Sequence, residues 1–145
     1  MFPQPLNKFP TSGMVSVSLV CGSSLFIGLN TGKILEWIEP GEITRTLQGH
    51  AACVHCLLEC GEMLWSGSDD HTIKVWNIST GESIKTIQTT SDVTCLVQWK
   101  ETIVSGGWKY NGDPFLYVWS RDGESINKWK VEEEGGKINT LQTVL

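Results

Sequence analysis

The chain has 145 residues, 40% of them hydrophobic, which suits one ordinary domain with a buried core and excludes a wholly disordered chain. A net charge of −5 argues against a broad basic face for nucleic-acid phosphates. No apolar run approaches the roughly 18 residues of a membrane-spanning helix, so neither a nucleic acid nor a membrane is an expected partner.

Fifteen glycines, seven tryptophans and abundant Val, Ile and Thr point to short strands joined by tight turns, an all-β chain. Residues 1–13 form a lead in which Pro3, Pro5 and Pro10 allow at most an edge strand, for example an outer closing strand over Leu6 to Ser12. The stretch from Met14 to Leu29 is apolar but interrupted by Ser16, Ser18, Gly22, Ser23 and Ser24, unlike the unbroken segment of a signal peptide. It reads as strands. Five cysteines, an odd number, do not make a closed disulfide framework, so a reducing compartment is expected: the cytoplasm, with the nucleus as an alternative. The sequon Asn77-Ile78-Ser79 then has no consequence.

Self-similarity organises the rest. Three phrases end in tryptophan: Gly32 to Trp37, His71 to Trp76 and Pro114 to Trp119, spaced by 39 and 43 residues. Val15, Val54 and Val93 begin matching apolar strands 39 residues apart, and Ile138-Asn139-Thr140-Leu141 begins a further one. Phe26-Ile27-Gly28, Trp65-Ser66-Gly67 and Val104-Ser105-Gly106 align without gaps between these anchors. Alternating segments follow at Ile43 to Leu47, Ser83 to Ile87 and Ile126 to Val131. Each unit therefore predicts four strands, in a small antiparallel sheet. The third unit is longer by four residues, and the excess falls within Trp108-Lys109-Tyr110-Asn111-Gly112, read as a loop.

The middle unit resembles a WD40 repeat. The residues that carry the resemblance are Gly49-His50, Ser66-Gly67-Ser68-Asp69-Asp70, Thr72-Ile73-Lys74-Val75-Trp76-Asn77 and Thr80-Gly81-Glu82, with Asn77 where Asp is commonest in the family. The resemblance implies β-propeller blades: blade 1 over 14–49, blade 2 over 50–90, blade 3 over 91–136, and a first strand of another over 137–145. It also implies a buried hydrogen-bond chain of His50, Ser66, Asp70 and Trp76. In the third unit Ser105, Asp113 and Trp119 remain, with Thr89 at the histidine position. In the first, Ile27 and Thr31 replace Ser66 and Asp70, leaving only Trp37. Propellers close as rings of about four to eight blades, so a partial propeller of three blades leaves three alternatives: a piece of a longer propeller, copies that pair, or completion by another polypeptide.

No constellation for catalysis stands out. Gly22-Ser23-Ser24 and Gly106-Gly107 fall in turns or strands with no helix start to hold a phosphate. In Asp69-Asp70-His71 the family pattern gives Asp70 a structural role, and Glu132-Glu133-Glu134 reads as a solvated acidic turn. Cys53, Cys56 and Cys60, with His50 and His55 nearby, are metal-ligand residue types, but alternation turns Cys53 and Cys56 to opposite faces of one strand. No metal and no cofactor is expected. The expected function is a non-catalytic protein-interaction scaffold that binds other proteins or peptide segments, with Asp69, Trp108, Lys109, Tyr110 and Asn111 as candidate contact residues on the rim marked by Asp70. The alternatives are a self-assembling homo-oligomer and, because the turn at Cys60-Gly61-Glu62 looks like those of F-box-associated propellers, the substrate-recognition part of a ubiquitin ligase.

Overall fold

The computed structural model describes residues 12–39, 41–108 and 115–130. The first unit supplies β1 (Val15–Cys21), β2 (Ser24–Leu29), β3 (Ile34–Ile38) and β4 (Glu42–Leu47). The second supplies β5 (Val54–Cys60), β6 (Met63–Ser68), β7 (Thr72–Asn77) and β8 (Ser83–Gln88). The third supplies β9 (Asp92–Trp99), β10 (Thr102–Trp108), β11 (Phe115–Ser120) and β12 (Ser125–Lys130). Each set forms one antiparallel four-stranded sheet with neighbours in chain order. The lead up to residue 11, the candidate residues Lys109, Tyr110, Asn111 and Asp113, and the strand expected at Ile138 lie outside the described residues.

Local chemistry explains the repeat. The two-residue turns after β1 and β5 need a left-handed residue, supplied by Gly22 (φ 58°) and Gly61 (φ 59°). At the same turn of the third blade Lys100 takes φ 55°. Each innermost strand also carries one residue more than its partner. Ser16 and His55 are the extra residues in β1 and β5, and the pairing of β9 with β10 skips Thr94. This recurrent bulge redirects the first residues of each innermost strand.

The blades pack face to face. Cys21, Phe26, Ile34 and Leu47 of the first meet Val54, Leu57, Leu64 and Trp76 of the second. The same positions of the next pair, Cys60, Trp65, Ile73 and Ile87, meet Val93, Leu96, Ile103 and Trp119. β1, β5 and β9 lie side by side, and their close approach depends on Gly67, where a Cβ would fall 2.4 Å from Val93 and 2.5 Å from the Cys56 sulfur. All five cysteines are free. Burial pushes the Cys21 thiol up to about 12, and burial likewise raises Cys56 and Cys95. These three are packing thiols held protonated.

A cation spans each blade junction. Arg45 on β4 donates to the Ser79 carbonyl at 2.9 Å and to the Ile78 carbonyl in the next blade. It also pairs with the buried Glu36 carboxylate, which accepts from Ser24 and Thr44 as well. Lys85 repeats the latch one blade on, donating to the Asp122 carbonyl at 3.1 Å and pairing with Glu124.

The outer faces of the described blades are open. Val15 is 57% exposed, whereas its equivalents Val54 and Val93 are 0% and 2% exposed. At the other end Trp129 is 43% exposed, against 4% and 7% for its equivalents Leu47 and Ile87.

Candidate functional site

The end of the second blade formed by the β4–β5 connection and the β6–β7 turn carries a dense polar network. His50 precedes β5 and its imidazole is buried. Its Nε2 lies 2.7 Å from the Ser66 hydroxyl on β6, and the Trp76 indole N–H on β7 donates to that same hydroxyl at 2.9 Å. Its Nδ1 lies 2.8 Å from Asp70 Oδ2. Asp70 also accepts from the Ala51 N–H at 3.0 Å, from the Thr72 N–H at 3.0 Å and from the Thr72 hydroxyl at 2.6 Å.

These partners assign the proton. If Nδ1–H donates to Asp70, Nε2 is bare and accepts from Ser66, which in turn accepts from Trp76, so every group is satisfied once in one direction. Burial holds the His50 imidazole below its ordinary value, against the pull of Asp70. Burial also pushes the Asp70 carboxyl up, but hydrogen bonds from Thr72, His50 and Ala51 together outweigh it and hold the acid below its ordinary range. A neutral imidazole thus faces a carboxylate, and the contact is a hydrogen bond rather than an ion pair.

The flanking blades differ in the way their residue types require. In the third, the Trp119 indole donates to Ser105 at 2.8 Å. Thr89, at the histidine position, turns its hydroxyl to the Ser91 carbonyl, and the neighbouring Thr90 hydroxyl bonds that of Tyr117 at 2.6 Å. In the first, Ile27 replaces the serine and packs with Leu29, Leu35 and Trp37 in an apolar cluster.

The solvent-facing side of this rim is a second layer. Asp69 pairs with His55 Nε2 at 2.7 Å. His71, at φ 63° in the β6–β7 turn, reaches into the third blade and meets Asp92 at 2.9 Å. His71 therefore pairs with neither adjacent aspartate. Asp92 is the register partner of Trp108, which brings that tryptophan to the same rim. The sequence places Trp108 in a loop; in the structure it is instead the last residue of β10, paired with Asp92, and is half-buried. The sequence reading missed both His–Asp pairs across the rim, since neither spacing is a repeat feature. It also set aside the cysteines, whereas the rim brings the donor atoms of Cys53, His55 and Asp69 within 4.8 Å of one another.

Residues 41–77 match the family model described as WD domain, G-beta repeat. The NACHT domain- and WD repeat-containing protein 1 of Mus musculus is 26% identical over 121 residues, 74% of this chain and 7% of that protein. The ribosome biogenesis protein BOP1 homolog of Drosophila melanogaster is 56% identical over 73 residues, 50% of this chain and 9% of that protein. The β-propeller domain of Myceliophthora thermophila Cps50 (Swd1) superposes with a TM-score of 0.66 at 17% identity, over 83% of this chain and 40% of that one. The matched regions amount to less than a tenth of the length of these two curated relatives. With the repeat model matched on residues 41–77 and the same four-stranded topology on either side, the middle blade is similar to a WD40 repeat and the described residues have the fold of β-propeller blades.

Proposed function

We propose that this chain is a non-catalytic scaffold that holds a protein or peptide partner on the rim formed by residues 50–55, 69–72 and 92, with Trp108 at its edge. WD40 propellers generally bind other proteins and are generally non-catalytic. The observation that carries the reading is the coupling of a rigid layer to an open one. The buried chain from Trp76 to Asp70 fixes the two connections, and His55, Asp69 and His71 stand above it, partly open to solvent. Contact residues on pre-ordered backbone lose little entropy on binding.

The test is quantitative affinity capture with the full chain. Asp69→Ala with Trp108→Ala on the rim should lower recovery of the main partners at least tenfold. Glu62→Ala, in the turn at the opposite end of the same blade, should leave it within twofold. Equal loss from both variants, or from neither, would contradict the rim.

A narrower reading takes the partners from ribosome assembly, and what supports it is the 56% identity to the Drosophila BOP1 homolog over 73 residues. A second reading, in which copies pair through their outer blade faces, draws support from the exposure of Val15 and Trp129. A discrete dimer by light scattering would favour it, and a monodisperse monomer would dismiss it.

A further inference from the structure

Cys53, His55 and Asp69 carry a thiol, an imidazole and a carboxylate, and their donor atoms lie within 4.8 Å of one another. Two features make this more than a coincidence of exposed side chains. First, the backbones that bear them are stitched together: the Asp69 N–H donates to the Cys53 carbonyl at 3.1 Å, and the Ser68 hydroxyl donates to the Ala52 carbonyl at 3.1 Å. His55 is the bulge residue of β5, so its direction is set by a fixed irregularity of the strand. Second, the neighbouring acid is occupied. Asp70 accepts from His50, Ala51 and Thr72, which leaves Asp69, whose partner is His55, as the carboxylate of the pair that belongs to this cluster. All three side chains are partly open to solvent, so an ion has a path in.

A tetrahedral zinc ion takes sulfur at about 2.3 Å and nitrogen or oxygen at about 2.0–2.2 Å, which places its donors roughly 3.3–3.8 Å apart. The donor separations in this trio, from 2.7 Å between His55 and Asp69 up to at most 4.8 Å, bracket that spacing. We propose that Cys53, His55 and Asp69 form a binding site for a zinc-type dication, with three protein ligands and a fourth position open to water or to a partner's side chain. A mixed sulfur, nitrogen and oxygen set suits a borderline metal rather than calcium or magnesium. Binding releases the Cys53 thiol proton to solvent and replaces the hydrogen bond between His55 Nε2 and Asp69, with the imidazole proton carried on Nδ1. The site shares His55 and Asp69 with the proposed rim, but its test reads metal binding and not partner capture.

The probe is Co²⁺ added to the purified full chain. The expected result is one ion per chain, a near-ultraviolet thiolate-to-metal charge-transfer band, visible bands of four-coordinate intensity, and loss of both on adding equimolar Zn²⁺. Cys53→Ser should abolish the charge-transfer band, and His55→Gln and Asp69→Asn should each weaken Co²⁺ binding at least tenfold, with the β-sheet circular dichroism unchanged. A folded chain that gives no band, a band that survives Cys53→Ser, or affinity within twofold of the parent in any of the three variants would overturn the site.

Discussion

The His50 imidazole and the Asp70 carboxylate, 20 residues apart in sequence, meet at 2.8 Å and tie the entry of the second blade to its β6–β7 turn. Asp70 accepts four hydrogen bonds there, two from side chains and two from backbone. Asp70→Ala leaves the His50 and Thr72 donors short of an acceptor in a mostly buried setting. It should destabilise the chain by about 1–3 kcal/mol, read as a lower denaturant midpoint. Thr31, the equivalent residue of the first blade, is exposed, and Thr31→Ala should change the midpoint by less than about 0.5 kcal/mol. Equal losses from the two substitutions would mean that the polar chain is not what fixes this turn.

Acid should weaken the same pair. His50 has a folded value below its ordinary 6.5, so the unfolded chain takes up a proton before the folded one does, and stability falls as the pH drops below about 6.5. Asp70 also sits below its ordinary 3.8, so its contribution is present above that value and is lost as the pH falls below it. Both effects have one sign. The melting midpoint should be flat from pH 8 to 7 and decline below 6.5, and the decline should be shallower in His50→Gln. A midpoint that rises between pH 7 and 5 would contradict the neutral imidazole.

The junction between the first two blades rests on Arg45 as well as on apolar packing. Arg45→Ala strands the buried Glu36 carboxylate and frees two carbonyls of the next blade. A cost of about 2–3 kcal/mol is expected, larger than that of the double substitution with Glu36→Gln, because the orphaned charge is then gone. A double-mutant cycle measures the difference. A double variant as unstable as the sum of the single ones would remove the coupling.

Much of this was legible from spacing. The 39-residue interval between Val15, Val54 and Val93 and the tryptophans closing the third strands mark out the sheets, because a repeat imposes the same packing on the same position. Loss of the polar chain in the first blade was also visible, since Ile27 cannot accept what Ser66 accepts, and the structure fills that place with apolar contacts. What spacing does not carry is direction. Strict alternation is the wrong guide to Cys53 and Cys56, because Cys53 precedes β5 and the bulge at His55 interrupts the alternation between them, and it hides the approach of Asp69 from the end of β6 to Cys53 and His55. The Arg45 latch and the His71–Asp92 pair cross between blades, and contacts of that kind depend on how sheets stack rather than on any local pattern.

The outer faces give a separate check. Val54→Ser places a hydroxyl at a fully buried junction and should cost about 2–3 kcal/mol, whereas Val15→Ser at the equivalent exposed position should cost less than about 0.5 kcal/mol. A large cost at Val15, measured by urea denaturation, would mean that another polypeptide surface covers this face in solution.

The rim is tested most directly by hydrogen–deuterium exchange of the full chain, with and without its captured partner, resolved by peptide. Protection on binding should concentrate in segments 50–55, 69–72 and 90–92, the connections joined by His50, Asp70, His71 and Asp92. Protection confined to the opposite-end turns at 61–62 and 78–82, with the rim segments unchanged, would contradict the account.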